Sequence, residues 1–388
     1  MKKINKIWDP QLDASYFSRF FYFFCFNLLI FNTNAIAQKG FSIETSLHVG
    51  RIAKHTPKIL FQPPPLSIGE EIHLNWQTYG QKVWHEWQGY PSVGISLLHY
   101  DLGNQQIFGN AFAAYPSLDL RILKKMSGVK SYVQWGWGFA YLTKHFDQFT
   151  NPTNNAVGSA LNNITSFKLR FQKPFSTHWK AELGFSFTHF SNGSSRLPNY
   201  GINVPAVSFG INYTPNPVFT EGYIHRDSSS KSEKKWGVDV FSGIGLSAST
   251  VPRGPKYPIY VGAFSILRPL SKINVLSLGI QYEQNRVVAE FGLATGEFST
   301  KEEAFKAGNR WGAFVGNTFV YGRVAIVLQS GFYLHHYASI PNIWFNRLGV
   351  RLYSPPFGRS KTQGHIGIYL KAHKIIAEQF ALMGGVSF

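Results

Sequence analysis

From Gln38 onward the chain alternates, and it does so repeatedly. In Val133 to Tyr141 the odd positions are Val133, Trp135, Trp137, Phe139 and Tyr141, with Gln134, Gly136, Gly138 and Ala140 between them. In Leu276 to Glu283 the apolar set is Leu276, Leu278, Ile280 and Tyr282, separated by Ser277, Gly279, Gln281 and Glu283. Trp344, Asn346, Leu348, Val350 and Leu352 alternate with Phe345, Arg347, Gly349, Arg351 and Tyr353. A period of two is the period of a β-strand, whose successive side chains point to opposite faces. No stretch after Gln38 is apolar for 18 residues, so the sequence offers no transmembrane helix there.

A water-soluble sandwich also alternates, with its apolar face inward. Two features favour a membrane barrel with the apolar face outward. The second face is filled with small and polar residues, as a barrel lumen requires. The final segment also puts Phe380, Leu382, Val386 and the terminal Phe388 on one side, which resembles the end of a bacterial outer-membrane barrel. Aromatic residues at 16% outnumber charged ones at 15%, a ratio unusual for a soluble enzyme, and this apolar content excludes a disordered chain. One cysteine excludes a disulfide scaffold and a four-cysteine zinc site. A net charge of +18 suits an anionic partner such as nucleic acid, phospholipid or lipopolysaccharide, and equally suits a general compositional bias.

Lys2, Lys3 and Lys6 precede the apolar run Phe20 to Phe31, and Ala35-Ile36-Ala37 follows. This pattern reads as a secretory signal peptide over residues 1–37, too short to span a membrane. Cys25 lies inside it. About eight strand-like segments lie between Gly40 and Tyr213, and about seven or eight more between Trp236 and Phe388. Between them, residues 215–235 carry Pro215, Pro217, Ser228, Ser229, Ser230 and the basic run Lys231 to Lys235, and read as a loop or linker. The expected fold is all-β: one closed antiparallel transmembrane β-barrel of about 12–16 strands, with two eight-stranded units as the alternative. On this reading 38–214 is the half that carries the site, and 236–388 supplies further barrel strands.

The informative stretch is Trp179 to Tyr213. Trp179, Ala181, Leu183, Phe185 and Phe187 form a lipid-facing row, and His189 and Ser191 continue it. Residues two apart on a strand share a face, with Cα atoms about 6.6 Å apart. On the next strand Pro205, Val207, Phe209, Ile211 and Tyr213 form the apolar face, and Asn203 shares their parity. If the strands are neighbours, His189, Ser191 and Asn203 converge outside the barrel. On spacing alone, interfacial polar residues capping an aromatic belt are the favoured reading, because His-x-Ser is a low-information motif.

His189-Phe-Ser191-Asn192-Gly193, followed by Pro198-Asn199-Tyr-Gly201-Ile202-Asn203, resembles the lipid A 3-O-deacylase (PagL) family of outer-membrane esterases. The family pattern is His-x-Ser-Asn, then Pro-Asn-x-Gly-Ile-Glu at the start of the final strand, and the spacing matches without a gap. The resemblance implies an eight-stranded barrel with its site on the lipid-facing wall. It implies lipopolysaccharide or lipid A as substrate, the outer membrane as location, and no cofactor or metal. His189 would be the general base and Ser191 the nucleophile. Asn192 and the Gly193 amide would lie in or near an oxyanion hole, with Asn199 as further support. Asn203 stands where the family has Glu. It can accept a ring N–H, as in Cys-His-Asn proteases, and cannot supply a full negative charge. A slower enzyme, a variant that uses Asn, and a barrel that has lost activity all remain open. The resemblance is plausible over the whole first half and silent on Trp236 to Phe388.

The rival reading is a non-catalytic barrel, porin-like or structural, which gains from Asn203 and from the large second half. Adjacent His335 and His336 would point to opposite faces of a strand and read as solvated rather than as metal ligands. Nucleic-acid binding would rest on charge alone and is not expected. The oligomeric state is open.

Overall fold

The computed structural model describes residues 38–123, 128–225, 235–248, 252, 254–337, 343–357, 362–374 and 376–388. The expected signal peptide lies outside them. The first eight strands are β1 (Phe41–Gly50), β2 (Ser67–Gln77), β3 (Ser92–Asp101), β4 (Asn110–Leu123), β5 (Lys130–Leu142), β6 (Leu161–Pro174), β7 (Trp179–Ser191) and β8 (Ile202–Tyr213). The second eight are β9 (Gly237–Ala248), β10 (Lys256–Pro269), β11 (Asn274–Asn285), β12 (Asn309–Tyr321), β13 (Val324–His335), β14 (Trp344–Tyr353), β15 (Gln363–His373) and β16 (Ile376–Ser387). Helix α1 (Val83–Trp87) joins β2 to β3, and α2 (Arg286–Thr295) and α3 (Lys301–Ala307) join β11 to β12. No helix among the described residues is long and apolar enough to cross a membrane.

All neighbouring strands pair antiparallel. β1 closes on β8, from Ile43 opposite Tyr213 to Gly50 opposite Ala206, and β9 closes on β16, from Leu246 opposite Phe380 to Asp239 opposite Ser387. The sixteen strands therefore form two closed barrels of eight, the alternative arrangement, and not the single barrel of 12–16 that the unbroken strand texture favoured. The difference lies in what fills the lumens. In the first, Arg170 pairs with Glu44, with Asp119 at 2.6 Å and with Glu182 at 2.7 Å, while Lys168 and His48 pair with Glu71. In the second, Lys371 lies 2.5 Å from Glu283 and 3.0 Å from Glu378, and Arg351 and His365 share Asp239. Arg170, Arg347 and Lys371 are among the most deeply buried large side chains. These charges neutralise one another only across a narrow lumen, and eight strands leave room for side chains and no more. The inward-facing charged side chains of both barrels are buried against one another.

The faces follow the parity of the sequence. Phe185, Phe187, Phe209 and Val133 point outward and are exposed, while Gln134, Glu182, Ser186 and Ser208 are buried in the lumen. Trp137 belongs to the outward row yet is only 9% exposed, because Phe380 of the second barrel lies against it with ring centres 6.1 Å apart. At one rim of the first barrel, the connections 51–66, 102–109, 143–160 and 192–201 fold over the mouth. Ile52, Ile59, Phe61, Phe108, Val157, Ile164, Phe190 and Ile202 form an apolar plug there.

Arg170→Met removes the cation shared by three buried carboxylates. It is expected to destabilise the first barrel by about 3–5 kcal/mol. Thermal unfolding in detergent should show this as a lowered midpoint; an unchanged midpoint would contradict the ion-paired lumen.

Candidate active site

Phe190 decides where its neighbours point. Its ring enters the apolar plug, fully buried and edge-on to Tyr100 at 6.4 Å. Alternation then puts His189 and Ser191 on the wall side of the strand, where His189 is half-buried and Ser191 is buried. Ile202 and Val204, both fully buried, do the same for Asn203. β7 and β8 pair with His189 directly opposite Asn203. One outward row thus crosses four strands: Trp137, Thr165, His189 and Asn203 are successive cross-strand partners. Ser191 sits opposite Asn163 of β6.

His189 Nδ1 lies 2.6 Å from Asn203 Oδ1. The amide nitrogen of Asn203 lies 3.0 Å from His55 Nδ1, and His55 Nε2 lies 3.0 Å from the carbonyl oxygen of Tyr200. The chain beyond β1 brings His55 here by running on beside β8, where Ala53 N–H donates to Asn203 O at 2.8 Å. Sequence reasoning missed His55. It sits in a long connection with no local pattern, and its only signal is that an amide in place of a carboxylate brings N–H groups that need an acceptor.

The proton order follows from Tyr200. A backbone carbonyl only accepts, so His55 Nε2 carries a hydrogen. In the neutral ring Nδ1 is then an acceptor, and it takes an N–H from Asn203. This leaves Asn203 Oδ1 toward His189, so His189 carries its hydrogen on Nδ1. Its Nε2 lone pair is left free, which is the tautomer a general base needs. Gly201, at φ +82°, makes room for the ring: a Cβ there would come within 2.6 Å of His189 Cε1.

Ser191 shares the wall with His189 but makes no hydrogen bond to it, and its Oγ has no partner among the described residues. The expected His189–Ser191 contact is therefore not formed in this state. Catalytic hydrogen bonds commonly tighten only when substrate is bound. Asn192 corrects a further expectation. Its N–H donates to Asn199 Oδ1 at 2.9 Å, and its Nδ2 donates to Ser159 Oγ at 2.9 Å and Arg196 O at 2.8 Å. Asn192 is thus committed to bracing the turn, with Asn199 as its partner, and has no donor left for an oxyanion. The amide of Gly193 has no acceptor among the described residues. No group of three or more metal-ligating side chains occurs among the described residues.

A closed barrel with an apolar exterior defines an outer-membrane protein, and this one carries a polar cluster on its outer wall. Residues 70–212 match the family described as lipid A 3-O-deacylase (PagL), and residues 236–388 match the family described as acyloxyacyl hydrolase, C-terminal domain. The first barrel is thus PagL-like, and the second matches the C-terminal domain described for acyloxyacyl hydrolases. Among solved structures the chain is similar to Neisserial surface protein A, at 9% identity over 45% of this chain and 97% of that one, with a TM-score of 0.32. It is similar to the outer membrane enzyme PagL at 14% identity, over 43% and 97%, with a TM-score of 0.30. The outer membrane protein opdK from Pseudomonas aeruginosa is 7% identical over 90% and 98%, with a TM-score of 0.23. No curated protein matches the chain in sequence.

The proton order can be read directly. Nitrogen-15 chemical shifts of His189 should report hydrogen on Nδ1 and a bare Nε2; the reverse assignment would contradict the relay from Tyr200.

Proposed function

We propose that this protein is an ester hydrolase that removes an acyl chain from lipid A, with Ser191 as nucleophile and His189 as base. The observation that carries the reading is the ordered chain from Tyr200 O through His55 and Asn203 to His189, on the same lipid-facing wall as Ser191. A structural barrel has no use for a half-buried imidazole held in one tautomer beside a free serine hydroxyl. Polar side chains on a lipid-facing wall are costly and usually functional.

His189 Nε2 takes the Ser191 hydroxyl proton while Oγ attacks the ester carbonyl. The Gly193 N–H supports the tetrahedral oxyanion. His189 then gives the proton to the departing sugar hydroxyl, leaving an acyl-serine. Water, deprotonated by the same imidazole, releases the fatty acid and restores Ser191. Asn203 orients the base and supplies no charge to the imidazolium. His55 makes an amide workable in this position, because it accepts the N–H that a Glu would not have. The substrate reaches Ser191 from the outer leaflet beside the barrel. The basic net charge suits the phosphates of lipid A.

Mass spectrometry of lipid A from cells with and without the protein tests the reading. The wild type should shift lipid A by the loss of one acyl chain. Ser191→Ala and His189→Ala should each abolish the shift while leaving a folded barrel, since neither change removes core packing. Asn203→Ala should slow the reaction less, and Asn203→Glu should raise the rate by adding the missing charge. Hydrolysis should fall as the medium is acidified, because only the neutral imidazole accepts the serine proton. Unchanged lipid A with both wild type and Asn203→Glu would leave a structural barrel.

A further inference from the structure

The two barrels touch at both rims. At the rim away from the site, Gln88 Nε2 donates to Val320 O at 2.8 Å, Trp84 meets Tyr321 edge-on at 6.4 Å, and Lys272 Nζ lies 4.8 Å over the Trp87 ring. At the other rim the contact falls on the turn that follows Ser191. This turn, Asn192 to Ser195, has Gly193 at φ +60° and Ser194 at φ +62°, and is closed by Ser195 N–H donating to Asn192 O at 3.1 Å. Two successive left-handed residues make a type I′ turn, and Ser194 holds that conformation without the freedom of a glycine.

The second barrel grips this turn at three points. Ser194 Oγ donates to Ala377 O of β16 at 2.6 Å. Ala248 N–H of β9 donates to Ser194 O at 2.9 Å. The ring of Phe380 of β16 covers Gly193 so closely that any Cβ there would run into it. Phe380 is itself lodged against Trp137 of the first barrel. Among the described residues, the hydrogen bonds that brace the turn from its own barrel run through Asn192 and its partners. Gly193 and Ser194, the left-handed pair, are held from the other side.

From these contacts we infer that the second barrel is a working part of the catalytic site: β16 and β9 clamp the turn so that the Gly193 N–H stays where the oxyanion forms. This rests on the ester-hydrolase reading above. An oxyanion donor acts only within about 2.7–3.1 Å of the developing charge, and only if it need not reorganise when the charge appears. A turn held from one side satisfies that condition poorly; a turn held between two closed barrels satisfies it well. Phe380 and Ser194 are positioning residues here, since they act through Gly193 and touch no reacting atom.

The test uses the full-length protein in detergent micelles, with p-nitrophenyl butyrate as substrate and a trifluoromethyl ketone of matching acyl length as a tetrahedral mimic. Phe380→Ala and Ser194→Ala should each lower kcat by about tenfold, part of the loss expected for deleting an oxyanion donor. KM should stay within about twofold, because the donor acts in the transition state. Affinity for the ketone should fall by the same factor as kcat. Phe380→Tyr, which keeps the ring, should restore both. Each variant is checked as a folded barrel by its heat-shifted band on an unheated gel, and Ser194→Ala, which removes one hydroxyl, serves if Phe380→Ala fails that check. Unchanged kcat and ketone affinity in a folded variant would overturn the clamp and leave the esterase reading standing. A raised KM at constant kcat would overturn it too, making Phe380 a substrate contact. A wild type no faster than Ser191→Ala would bring down the esterase reading and the clamp together.

Discussion

A polypeptide in hydrocarbon has no water to satisfy its backbone, so every N–H and C=O of a spanning strand must find another strand. Here that requirement is met twice, by closing β1 on β8 and β9 on β16. Closure at eight strands leaves lumens too narrow for a channel, and the charged residues of the inner faces fill them. Arg170 among three carboxylates and Lys371 between two are the result. The interior is occupied by ion pairs, and the polar cluster of His189, Ser191 and Asn203 stands on the outer wall.

The candidate site is built from strand parity and one carbonyl. Phe190, Ile202 and Val204 are drawn into the plug at the barrel mouth, and alternation leaves His189, Ser191 and Asn203 on the outside. From there the proton order runs from Tyr200 O to His189 without a charged group in the chain. A carboxylate would hold the imidazole by charge. The amide holds it by direction, and needs a second acceptor to fix which way it faces. His55 is that acceptor, so the departure from the family pattern at Asn203 comes with a partner suited to it.

The second barrel meets the first at both rims, and at the site rim it does so on the turn directly after Ser191. A contact at one end alone would leave the pair free to pivot. Contacts at both ends hold the outer walls side by side, and the turn is caught between them. The 236–388 segment, on which the motif around His189 is silent, thereby acquires a place next to that motif.

Much of this was legible in the chain. The period of two gave strands, and the apolar parity gave the lipid face, because a strand can bury or expose only alternate residues. The same parity put His189, Ser191 and Asn203 on one wall, and their spacing pointed to a known family. Three things were not legible. The number of barrels depended on which strand edges met, and local alternation carries no information about closure distance. His55 lies far from His189 in sequence, and nothing in its own connection marks it. The commitment of Asn192 to its brace, and the hold of Phe380 and Ser194 on the turn, arise from hydrogen bonds and packing between segments far apart in the chain. A sequence determines the face on which each side chain of a strand falls, since that is set by its immediate neighbours. Which faces meet, and which donors are left free when they do, is decided only when the strands close and the two barrels come to lie side by side.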